Sequence, residues 1–181
     1  MSPTLFFTHP LIIALLSALA LRITGWLWWK SRGAGSLPGC GPGTPCKSVL
    51  KSRWSRVGSI PVSLLGSMLY AATIVASIAV YLGESTKIQH PARLALTALF
   101  PMIGGGTIWF IVLQRFILHR ICKWCVISNL IGLFISVCVY KYVAAYGFNP
   151  GPLVFGFSSV VGLIVLQILI KPVGYQGGQP I

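Results

Sequence analysis

The sequence predicts an all-α membrane protein, and three observations predict it. Of its 181 residues 55% are hydrophobic and 8% charged, whereas soluble domains carry about 25% charged residues. Leu, Ile and Val recur in blocks of about twenty, the length at which a helix crosses hydrocarbon. Fourteen Lys and Arg, against the single acid Glu84, flank or interrupt those blocks instead of forming a basic domain. Nearly the whole chain is committed to spans, so residues 1–181 read as one membrane domain.

Five spans follow in order. The first runs from Leu11 to Trp29 and closes on Trp26, Trp28, Trp29 and Lys30, a composition suited to the membrane interface. It lacks a basic leader and a small-residue cleavage site, so it is expected to be a retained span. A Gly/Ser/Pro-rich loop, 31–58, comes next. Within it, Val49, Leu50 and Trp54 fall at helical spacing among Lys47, Lys51, Arg53 and Arg56. That pattern predicts a short amphipathic helix over 46–56 at the membrane surface, with a solvated basic loop as the alternative.

The second span is Pro61 to Leu82, its proline expected in the first helical turn where no amide bond is lost. The third covers Ala92 to Phe116 and contains Gly104, Gly105 and Gly106, which weaken a helix but admit a close neighbour. The fourth runs from Ile121 to Ala144 and the fifth from Leu153 to Ile170, within a segment 151–172. The tail GYQGGQPI is expected to be disordered.

The charge balance removes several kinds of chemistry. One carboxylate cannot provide the paired acid and base of glycosidases or aspartic proteases, nor an oxygen cage for Mg²⁺ or Ca²⁺. Proton-coupled transport along buried carboxylates is disfavoured for the same reason. A net charge of +13 invites a nucleic-acid partner, but basic residues bracketing spans suit lipid headgroups or an acidic protein better. His9, His90 and His119 are scattered and no metal site is expected. Sulfur remains as the reactive element.

Five cysteines are present. Cys138 sits mid-span and reads as a small apolar residue. The others form two pairs, Cys40 and Cys46 in GCGPGTPC, and Cys122 and Cys125 in CKWC. Residues three apart share a helix face at ~5–6 Å. The second pair falls at the first turn of the fourth span, where the helix N-terminus and His119, Arg120 and Lys123 favour a thiolate. If spans alternate direction, both pairs emerge on one side of the membrane. A flexible pair facing a helix-mounted pair suits thiol–disulfide relay. A non-catalytic module with two structural disulfides or a Cys₄ zinc site is the alternative.

These residues resemble the vitamin K epoxide reductase family, in its prokaryotic form without the fused thioredoxin-like domain. The resemblance runs through Cys40 and Cys46, Ser52-Arg53-Trp54, Gly58-Ser59-Ile60-Pro61 with Gly66, and Cys122 with Cys125, covering about residues 10–145. It implies a four-helix transmembrane bundle around a quinone, with the fifth helix peripheral. It implies a thiol:quinone oxidoreductase that makes protein disulfides for a separate thioredoxin-fold partner. Reduced partner would attack at Cys46, Cys40 would pass electrons to Cys122, and Cys125 would face the quinone, near Ser52 and Trp54. Asn129 stands where vertebrate enzymes have tyrosine, and Val62 and Ser63 where they have an asparagine. Those departures point to a menaquinone- or ubiquinone-type acceptor and away from epoxide reduction.

Orientation draws two opposed expectations for this cell-membrane protein. Family habit places the cysteine end outside the cytosol, where disulfides persist. The basic residues count ten on the cysteine face (Lys30, Arg32, Lys47, Lys51, Arg53, Arg56, Arg115, Arg120, Lys123, Lys171) against Lys87, Arg93 and Lys141 opposite. That bias favours a cytosolic cysteine face.

Overall fold

A computed structural model describes residues 9–32, 49, 52–57, 59–147 and 149–169. Among the described residues, five helices are long and apolar enough to cross a membrane. Helix α1 spans Pro10–Arg32, α2 Val62–Leu82, α3 Thr86–Val112, α4 Lys123–Tyr146 and α5 Pro150–Leu169. The short connections between Leu82 and Thr86, between Ile117 and Lys123, and between Tyr146 and Pro150 force α2 to α5 to alternate in direction. Helix α1 packs on α2 and α4, α3 on α2 and α4, and α5 chiefly on α3. The architecture is therefore a four-helix bundle with an outer fifth helix, as expected.

The bundle core mixes alkyl and hydroxyl groups. Ile13, Ala20, Tyr70, Leu96, Ile103, Ile135, Cys138 and Val139 are buried together, while Leu19, Met68, Val75, Phe134 and Leu169 face outward toward lipid. Cys138 thus takes the apolar place expected of it. Serine and threonine hydroxyls stay within the helices or cross short gaps. Ser67 donates to Thr24 Oγ1 at 3.0 Å, and Ser136 donates to the Phe100 carbonyl at 2.8 Å. Small residues let these backbones close up, which is how helices associate when lipid removes the hydrophobic drive. A methyl group on Gly104 would meet Ser136 Oγ at 2.5 Å, and one on Gly105 would meet Val160 of α5 at 3.1 Å. Two members of the glycine triplet therefore serve two different neighbours.

Several boundaries differ from expectation. Helix α3 starts at Thr86 and not at Ala92, carrying Pro91 and Pro101 inside it. Its polar first turns hide it from a hydropathy reading. Pro61 is not in the first turn of α2 but caps it in an extended conformation, as the end of a two-residue strand. That strand, Ile60–Pro61 (β2), pairs antiparallel with Arg56–Val57 (β1). The amphipathic helix expected over 46–56 does not extend to its C-terminal part, where Arg53–Ser55 forms a single 3₁₀ turn leading into β1. Most of its remaining residues, and the tail from 170, lie outside the described residues.

Gly132 is the tightest test of this packing. A side chain there would collide with the Tyr70 hydroxyl and with Thr107 Cγ2. Gly132→Val should destabilise the folded protein by about 1–3 kcal/mol, seen as a lowered unfolding temperature in detergent. Gly106→Ala, which meets nothing within 4 Å, should not lower that temperature and can raise it, since alanine favours the helix over glycine.

Candidate active site

The segment joining α3 to α4 sets the site. Helix α3 widens at its end into a π-turn, Leu113–Ile117, and the chain reverses through His119 in the left-handed region at φ 50°. Histidine is among the few side chains found there with some frequency. The reversal strands backbone N–H groups, and Gln114 satisfies two of them. Its main-chain carbonyl accepts from the Arg120 N–H at 3.2 Å, and its side-chain carbonyl accepts from the Cys122 N–H at 3.1 Å. Gln114 is itself buried. Its amide therefore fixes where the first cysteine of CKWC stands.

Cys122 is not in the first helical turn but is the N-cap of α4, with extended backbone at φ −94° and ψ 113°. Its Sγ takes the place of the usual capping oxygen, accepting from the Cys125 N–H at 3.4 Å. The Cys125 thiol donates to the same sulfur, with the two Sγ atoms 2.8 Å apart. Both are free thiols. The dithiol expected from C-x2-C spacing is thus assembled, in contact, at the membrane edge.

The electrostatics follow from that geometry. The Cys122 thiol is lowered to about 7, mainly by the hydrogen bond from the Cys125 thiol. Burial opposes the shift, and the backbone N–H groups of Cys125 and Trp124 add to it. Those N–H groups are the unpaired donors of a helix N-terminus. His119, Arg120 and Lys123 are exposed, and the lowering comes from the thiol and amide donors. Cys122 is 0% exposed; it packs with Leu27 and Val49, while Ile23, Trp26, Leu118, Trp124 and the half-buried Cys125 lie against that cluster. Trp26 and Trp124 meet edge to face with centroids 5.2 Å apart.

The other expected site residues are placed as follows. Cys40 and Cys46 lie outside the described residues. Val49, three positions after Cys46 in the chain, lies in the same buried cluster as Cys122. The Ser52 hydroxyl donates to the Val49 carbonyl at 2.7 Å, which leaves its oxygen free to accept. Trp54 lies half-buried in the 3₁₀ turn, and its carbonyl accepts from Gln167 Nε2 at 3.0 Å. Asn129 is half-buried, one turn beyond Cys125 on α4. Sequence reasoning passed over Gln114 and Gln167, yet a lone amide in an apolar span was the signal available. It also passed over Tyr70, whose hydroxyl meets the side chain of Ser128, three residues deeper than Cys125.

A helical bundle that holds two contacting thiols at one membrane edge, one of them acidified, has the build of a membrane thiol oxidoreductase. A model of the vitamin K epoxide reductase family matches residues 11–140, and the chain belongs to that family. Among curated proteins none matches it. Membership makes it an oxidoreductase of a quinone-associated family.

The acidity of Cys122 has a direct readout. The thiolate absorbance lost in Cys122→Ser, measured on fully reduced protein, should titrate with a midpoint near pH 7, rising as pH rises. Cys125→Ala removes the largest cause of the lowering and should move that midpoint toward the ordinary thiol value of about 8.5.

Proposed function

We propose that the protein oxidises thiols of a thioredoxin-fold partner to a disulfide and delivers the electrons to a membrane quinone. The observation that carries this reading is the Cys122–Cys125 contact with its acidified Cys122. A thiol of low pKa leaves a disulfide readily, and the Cys122 thiol is lowered to about 7.

In the proposed relay, a partner thiolate attacks Cys46 of an oxidised Cys40–Cys46 pair and releases Cys40. Cys40 then attacks Cys122 of the oxidised Cys122–Cys125 pair, breaking that bond and freeing Cys125. Closure of Cys40 with Cys46, and of the partner's own pair, leaves Cys122 and Cys125 reduced. Returning that dithiol to a disulfide releases two electrons and two protons. The place of Val49 in the buried cluster around Cys122 supports the approach of the loop pair to this sulfur.

The residues around Cys125 fit a quinone. Ile23, Trp26, Leu118 and Trp124 give an apolar and aromatic surround, and the Asn129 amide and the Tyr70 and Ser128 hydroxyls offer hydrogen-bonding groups one turn deeper. The Ser52 oxygen, its proton already given to Val49, can accept from a reduced ring but cannot donate to an oxidised one. Bound there, a quinone of menaquinone or ubiquinone type would supply a two-electron, two-proton acceptor. The half-exposed Cys125 would face it, while Cys122 remains the nucleophile that closes the disulfide.

The two orientations rest on different grounds. The ten-to-three basic bias supports a cytosolic cysteine end, and persistence of disulfides supports an external one. Labelling of Cys125 with an impermeant maleimide on intact reduced cells separates them.

Purified protein in quinone-containing detergent should oxidise a reduced thioredoxin-fold protein with matching loss of quinone absorbance. Cys125→Ala should abolish quinone loss, by at least about a thousandfold, because one of the two sulfurs that form the disulfide is gone. Quinone loss at the wild-type rate in Cys125→Ala would contradict the mechanism.

A further inference from the structure

Gln167 lies in α5, outside the residues matched to the family. It is 3% exposed in a helix whose other large side chains, Val154, Phe155, Val161, Ile168 and Leu169, turn outward. A buried primary amide is costly in such surroundings unless both its halves are paired. Both are. Its Oε1 accepts from Trp109 Nε1 at 2.8 Å, and its Nε2 donates to the Trp54 carbonyl at 3.0 Å.

The two partners lead to the dithiol by separate routes. Trp109 is five residues before Gln114 on the same continuous helical stretch, and Gln114 holds the Cys122 amide. Trp54 follows Ser52, whose hydroxyl and amide both donate to the Val49 carbonyl, and Val49 belongs with Leu27 to the buried cluster that holds Cys122. The neighbouring strand β1 also touches α5. Because an amide is planar, its two bonds together fix the Trp54 carbonyl against the Trp109 ring. Docking of α5 itself does not need them. Gly156 already seats α5 against Ala98 and Pro101, and Val160 packs on Gly105.

We propose that Gln167 is a positioning residue that latches the Ser52–Val57 segment to the bundle and thereby sets the rate at which electrons enter the Cys122–Cys125 pair. This rests on the oxidoreductase reading above. The fifth span is then part of the redox machinery and not only an outer helix.

Gln167→Leu removes both bonds. Gln167→Glu keeps the Trp109 bond, and only its protonated form can also donate to Trp54. Two readouts are needed in the full chain, amide hydrogen exchange over residues 49–57 and partner-to-quinone turnover. In Gln167→Leu, exchange over 49–57 should accelerate and turnover should fall about tenfold, the weight of one or two intramembrane hydrogen bonds. Because Ser52 lies in the same segment, the pre-reduced variant should pass electrons to quinone with a smaller loss than the loss in overall turnover. Relative to wild type at each pH, Gln167→Glu should approach full turnover at low pH and the Leu variant at high pH. Unchanged exchange in Gln167→Leu overturns the latch. Faster exchange with unchanged turnover, or a loss confined to the quinone step, overturns its role in electron entry. Absence of turnover in wild type would instead overturn the oxidoreductase reading, and exchange alone would still decide the latch.

Discussion

In hydrocarbon every backbone N–H and C=O must find a partner inside the protein, and this constraint shapes the molecule most strongly where the chain has to turn. Between α3 and α4 it is met by Gln114, which takes the Arg120 N–H on its backbone and the Cys122 N–H on its side chain. With Cys122 held in extended conformation as the N-cap of α4, its sulfur comes to rest over the helix's unpaired N–H groups. The contact between the two thiols is thus a by-product of a solved hydrogen-bonding problem. A carbon side chain at position 114 would leave the Cys122 amide unsatisfied at a cost of about 1–3 kcal/mol.

The same arrangement explains why Cys122 is acidified without a charged neighbour pressed against it. Two donors from Cys125, its thiol and its N–H, converge on one sulfur, and their short range outweighs the burial that would otherwise raise the thiol. The ring of exposed cations at this end, Arg56, Arg115, Arg120 and Lys123, is left for other work, namely lipid headgroups or an acidic partner surface. Arg22 is exposed too, and its long stem can carry its charge from the span to the interface.

Much of this was legible in the sequence. Twenty-residue apolar blocks mark spans because nothing else makes such blocks, and all five spans stand where those blocks do. The Cys-x2-Cys pair was legible because helical spacing brings residues three apart together. What escaped notice depended on tertiary contact. The polar start of α3 at Thr86 is carried by the bundle and not by hydropathy. The end of the expected amphipathic helix at a 3₁₀ turn, Arg53–Ser55, reflects pairing of Arg56–Val57 with Ile60–Pro61, which helical spacing at Val49 and Trp54 could not reveal. The meeting of Tyr70 with Ser128, and of Gln167 with Trp109 and Trp54, joins residues far apart in the chain. The lone amides were visible as letters, but only folding gave them partners.

The central claim is that Cys122 and Cys125 alone form the unit that reduces quinone. The most direct measurement uses protein in which Cys40, Cys46 and Cys138 are replaced by serine or alanine, reduced, freed of reductant and mixed with quinone. The account predicts one quinone reduced for each protein molecule, with loss of two free thiols and appearance of a Cys122–Cys125 disulfide. Quinone left unreduced while the dithiol stays intact would contradict it.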